Sequence, residues 1–66
     1  MEIKKGITLR LPKGDIDIHD VSNGIVYYQT WPNGTEKQGM YANLFRMPIN
    51  DFSEKTEGAE IIQHGQ

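Results

Sequence analysis

Ser22-Asn23-Gly24-Ile25-Val26-Tyr27-Tyr28-Gln29-Thr30-Trp31-Pro32-Asn33-Gly34 sets an Asn-Gly pair at each end of a run rich in β-branched and aromatic residues. Asn and Gly tolerate the positive φ angles that a two-residue type I′ hairpin turn demands, and the residues between them favour extended backbone. The stretch therefore reads as a strand over 25–31 with a hairpin tip on either side. Across the first tip Ser22 is expected to face Ile25, Val21 to face Val26, and Ile18 to face Gln29. Across the second, Trp31 is expected to face Glu36, Tyr27 to face Met40, and Ile25 to face Ala42, which implies a partner strand over 36–44.

Upstream, Ile7, Leu9 and Leu11 alternate with Thr8 and Arg10, the period of two of a strand with one buried face. This first strand is read over 3–11. Pro12-Lys13-Gly14-Asp15 then supplies a preset φ and a glycine for reversal into a second strand over 16–21. A slip of one residue would turn every side chain to the opposite face, so the pattern constrains the loop. With a loop of Pro12 to Asp15, Leu11 meets Ile16, Arg10 meets Asp17 and Leu9 meets Ile18; with one residue fewer, leucines would meet aspartates. Following the pleat through four strands collects Ile7, Leu9, Leu11, Ile16, Ile18, Ile25, Tyr27, Met40, Ala42 and Leu44 as the expected core face, with Trp31 at its rim.

After Leu44 the alternation stops. Proline is tolerated at a helix start, Ile49 and Phe52 share a face three residues apart, and Gly58 suits a helix end, so a helical turn is expected over about 48–57. Ala59-Glu60-Ile61-Ile62 is long enough for a short fifth strand over 59–63, with a docked tail as the alternative. The Asn-Gly hairpins, the Gly24-Ile25-Val26-Tyr27-Tyr28 strand and Met47-Pro48 through Phe52 together resemble the order of small SH3-like β-barrels, the architecture shared by Tudor and KOW domains and by many small phage and plasmid proteins. The resemblance implies a mainly β, single-domain barrel over 1–66. It implies no activity, because fold alone does not license a function.

Composition bounds the function. At 66 residues there is room for one thin core, and no cysteine is present to staple it. No apolar run approaches the roughly 20 residues that cross a bilayer, and the first residues lack the apolar region of a signal peptide. A soluble, cytoplasmic protein without membrane contact is expected. A net charge of -2 and a pI near 5.5 argue against a strongly basic nucleic-acid footprint.

The face opposite the expected core carries the candidate binding residues Arg10, His19, Tyr28, Lys37 and Tyr41, with Trp31 at the second tip. Tyr28 and Tyr41 fall on adjacent strands one diagonal step apart, where they serve either as binding anchors or as a cross-strand pair that stabilises the sheet. Asp15, Asp17 and His19 alternate along one strand, but a metal site would need a fourth ligand. Asp17 is expected to pair with Arg10 instead. There is no cysteine nucleophile, G-x-S-x-G elbow, H-E-x-x-H pair or phosphate-cradling glycine loop. The residues thus read as a non-enzyme without cofactor or metal, binding a protein partner or a second copy of itself. Single-stranded nucleic acid, with the tyrosines stacking bases and Arg10 and Lys37 meeting phosphates, is the alternative; a structural role in a phage-type assembly is a third.

Overall fold

Asn23 and Gly24 both adopt positive φ, 53° and 75°, and across them Ser22 pairs with Ile25 and Val21 with Val26. The first tip is the turn its residues require. The computed structural model describes residues 2–37 and 44–64. Within them the order is β1 (Thr8–Leu11), β2 (Gly14–Ser22), β3 (Ile25–Pro32), β4 (Leu44–Pro48), the helix α1 (Ile49–Lys55) and β5 (Glu60–Gln63). The strands form one antiparallel sheet in the order β4-β3-β2-β1-β5. The mainly β class, the helical turn and the fifth strand agree with the sequence reading.

Down the β2–β3 ladder the pairing departs from expectation. Asp20 pairs with Tyr27, but Ile18 pairs with Tyr28, so His19 is an extra residue on β2. This is a β-bulge, and one inserted residue exchanges the faces of the two strands beyond it. Val26 and Tyr28, 0% and 4% exposed, therefore join Ile16 and Ile18 inside. Ile25 and Tyr27, expected in the core, are only half-buried on the other face.

The β1–β2 turn is also corrected, in a different way. Leu9 pairs with Ile16, Arg10 with Asp15 and Leu11 with Gly14, which leaves a loop of Pro12 and Lys13 alone. A slip of two residues keeps every side chain on its own face, so hydrophobic alternation is satisfied equally by either loop. What distinguishes them is Gly14, at φ 150°, where an added Cβ would lie 2.2 Å from the Trp31 carbonyl oxygen. Only glycine lets β2 and β3 approach so closely there. At its other end β1 starts at Thr8 rather than 3, because Gly6 turns at φ 90°, although Gly6 still donates its N–H to the Ile18 carbonyl at 3.0 Å.

The largest correction concerns the fourth strand. β4 begins at Leu44, and Tyr27 pairs with Arg46 and Ile25 with Pro48, not with Met40 and Ala42. Asn33-Gly34 forms a local turn, closed by the Thr35 N–H on the Pro32 carbonyl at 2.9 Å, and residues 35–37 that follow it are not in a strand. Asn33 instead fastens this turn to the first one: its N–H donates to the Lys13 carbonyl at 2.9 Å and its side-chain amide to the Pro12 carbonyl at 2.7 Å. Met40 and Ala42 lie outside the described residues. Leu44, expected inside, is 41% exposed and pairs with Gln29 on the face opposite the core.

Pro48 occupies the helix N-cap at φ -57°, and the next N–H, of Ile49, donates to the Gly24 carbonyl at 2.8 Å. The helix is thereby tied to the first hairpin tip. Its end is closed by Thr56, buried, whose hydroxyl donates to the Phe52 carbonyl at 2.8 Å. Between these ties Phe52 is driven into the sheet, fully buried, with its ring centroid 5.1 Å from that of Tyr28. Ile7, Leu9, Ile16, Ile18, Val26, Tyr28 and Phe52 form the core, flanked by Ile49, Met47 and Ile61 among others.

Burial pushes the Tyr28 hydroxyl above its ordinary pKa of 10.0, because the phenolate would lose solvation. As pH rises past about 10 the unfolded chain releases this proton while the folded chain still holds it, so stability falls with alkaline pH. Tyr28→Phe is expected to flatten that part of the decline. Urea midpoints of both proteins between pH 8 and 11 check it; parallel curves would contradict it.

Candidate interaction surface

On the face of the sheet opposite the core, β1 and β2 bring Thr8 beside Asp17, and β3 places Gln29 and Trp31 across from Asp17 and Asp15. Asp17 becomes the hub. Its Oδ1 accepts from the Thr8 hydroxyl at 2.7 Å and from Lys37 Nζ at 3.2 Å, and its Oδ2 accepts from the Trp31 indole N–H at 2.9 Å. Three donors converge on one carboxylate, which occupies most of its acceptor capacity. The bulge aims His19 at the same patch, where its Nε2 meets the Gln29 side-chain oxygen. Thr8, Asp17, His19, Gln29 and Lys37, with Lys5, Gly6 and Gln63, border a shallow depression of about 350 Å³.

The expected Asp17–Arg10 pair is not formed. Arg10 instead reaches Asp15, with Nε 3.1 Å and Nη2 3.4 Å from its two carboxylate oxygens, as the two-residue shift of the turn dictates. The hydrogen bond to Asp15, and then its charge, raise the Arg10 pKa further above its already high value. Lys37, expected as a free cation for phosphate, is likewise engaged, with Asp17.

Tyr28 is the clearest relocation. It was expected on the open face beside Tyr41; the bulge carries it into the core at 4% exposure, where it has no surface on which a base or partner can stack. Tyr41 lies outside the described residues. Trp31 is buried at 4% with its indole N–H on Asp17, and His19 meets the Gln29 side chain. Of the six candidates, then, His19, Lys37 and Trp31 share one patch, Arg10 sits next to it on β1, and Tyr28 has left it.

Asp17 holds together two buried donors, Thr8 at 6% and Trp31 at 4% exposure. Asp17→Ala is expected to cost about 2 kcal/mol, since an unsatisfied buried donor costs roughly 1–3 kcal/mol. Asp17→Asn, which keeps one acceptor oxygen, is expected to cost less. Urea unfolding followed by Trp31 fluorescence measures both, and equal stability of all three proteins would show the hub to be incidental.

A second surface was not foreseen. Among the described residues β4 is the outermost strand beside β3, and it exposes Leu44 at 41% and Phe45 at 49%. Phe45 lies across from Tyr28 and stacks on it, with centroids 5.9 Å apart and planes at 28°. One ring is thus buried and holds the other, half in solvent, in a set orientation. The sequence contained a signal for this: neighbouring residues of a strand point to opposite faces, so consecutive Leu44 and Phe45 cannot both enter one core.

Among the described residues no three His, Asp or Glu side chains gather as metal ligands, and no helix is long and apolar enough to cross a membrane. Compared with models of protein families, with curated proteins and with solved structures, the chain matches none.

Proposed function

We propose that the chain is a non-catalytic protein-interaction module whose β4 edge receives an extended segment of a partner. The observation that carries the reading is the pair Leu44 and Phe45, 41% and 49% exposed on an outermost strand. Natural sheets ordinarily blunt such edges with charge, proline or a bulge, because unpaired backbone groups beside apolar side chains invite another strand; in β4 Arg46 and Pro48 do so toward one end, and Leu44 and Phe45 leave the other end apolar. Where an edge is kept open, strand addition takes its affinity from main-chain hydrogen bonds and its specificity from alternate side chains. Here Phe45 and Met47 alternate with Leu44 and Arg46.

The strand order, with the helix between β4 and β5, supports reading the architecture as a small SH3-like barrel. Single-stranded nucleic-acid binding loses its main support with Tyr28 in the core and with Arg10 and Lys37 engaged by carboxylates.

Peptides selected on the immobilised wild-type domain from a random display library test the proposal. They are expected to bind the Leu44→Lys/Phe45→Glu double variant at least tenfold more weakly while its amide spectrum stays folded. Selected peptides that bind both proteins equally would place the interaction elsewhere. Sedimentation of the wild type at high concentration decides whether a second copy serves as the partner.

A further inference from the structure

At the other side of the sheet, where the β1–β2 turn, the end of β3 and the last turn of α1 meet, lies a groove of about 420 Å³. It shares no residue with β4. Leu11, Pro12, Ile16 and Thr30 line it, and Lys13 and Lys55 stand at it from the turn and from the helix. The volume falls within the range of about 300–1,000 Å³ typical of small-molecule sites, which are predominantly apolar with a few polar groups.

The charges at this groove do not cancel. Asp15, its one carboxylate, is engaged by Arg10 through two hydrogen bonds. Lys13 and Lys55 have no ion pair or side-chain hydrogen bond with any described residue. Two available ammonium groups thus stand over an apolar floor in a chain whose net charge is -2. Lysine suits this role, since its long apolar stem lies along the floor while its head stays in water.

We infer that this groove binds a small amphiphilic carboxylate, with the apolar body over Leu11, Ile16 and Thr30 and the anionic head between Lys13 and Lys55. The site is independent of the β4 edge, and the partner reading can fail without affecting it. A two-dimensional amide NMR titration tests it, with decanoate below its micelle concentration and decyltrimethylammonium as a ligand of matched tail and opposite charge. Decanoate is expected to shift Leu11, Lys13, Ile16, Thr30 and Lys55, and decyltrimethylammonium to leave them in place. Lys13→Gln/Lys55→Gln, which alters two exposed side chains, is expected to weaken decanoate binding at least tenfold with an otherwise unchanged spectrum. No shift at this groove, equal shifts from both ligands, shifts centred on Leu44 and Phe45, or unchanged affinity in the double variant would each overturn the inference.

Discussion

Phe52→Ala is expected to leave the domain on the edge of unfolding. The Phe52 ring is fully buried, is the sole buried side chain of α1, and packs against Tyr28. Truncating a buried phenylalanine typically costs about 3–5 kcal/mol, counting both the lost transfer energy and the cavity left behind. A chain of 66 residues has a total stability of about 3–10 kcal/mol at the usual 0.05–0.15 kcal/mol per residue. The substitution therefore removes a third or more of what holds the fold. The helix cannot collapse inward to fill the space without straining its tie to the Gly24 carbonyl. With a urea dependence of about 1 kcal/mol per molar for so small a protein, the midpoint should fall by about 3 M or more. A loss under 1 kcal/mol would mean that the sheet holds its core without the helix.

Gly14→Ala is expected to be nearly as damaging, for a backbone reason. At Gly14 the new methyl would lie 2.2 Å from the Trp31 carbonyl oxygen and 2.7 Å from the Pro32 Cα, both main-chain atoms that no rotamer change can move. The φ of 150° adds strain for any residue with a Cβ. Relief requires β3 to swing away from β2, which loosens the pairs Gly14–Pro32 and Asp15–Trp31 and the Asn33 clamp on Pro12 and Lys13. A cost of about 3 kcal/mol is expected, combining overpacking of about 1–3 kcal/mol with local strain of similar size. Gly24→Ala is the control. Its Cβ would meet nothing within 4 Å, so only the left-handed backbone is penalised, at about 1 kcal/mol. Thermal or urea unfolding of the two variants should separate them clearly; equal losses would show that conformation alone, and not the close approach of the strands, makes Gly14 necessary.

Glycine at position 14 also illustrates how far the residues could be read unaided. It was legible as a turn residue, yet its place in the strand depends on a carbonyl 17 positions away in the chain. The bulge at His19 left a fainter mark. Apolar residues at 16 and 18 are followed by Val21, three positions on instead of two, and Val21 does pack against the core. That break of period is a bulge signature, and honouring it would have placed Val26 and Tyr28 inside and removed Tyr28 from the candidate site. The Asp17 hub had no comparable mark: Thr8, Trp31 and Lys37 are 9, 14 and 20 residues from it in sequence.

By itself the sequence determined the mainly β class, the type I′ tip at Asn23-Gly24, the buried side of β1 and the helix that follows Pro48. These rest on local backbone preference and on alternation, both of which act between near neighbours. Tertiary structure alone decided the register of β1 on β2, the bulge, the position of β4 and the occupants of each face. Alternation is blind to a slip of two residues, and an inserted residue is selected by how two strands pack together. That choice moved an aromatic ring from the surface to the core and left Leu44 and Phe45 at the edge in its place.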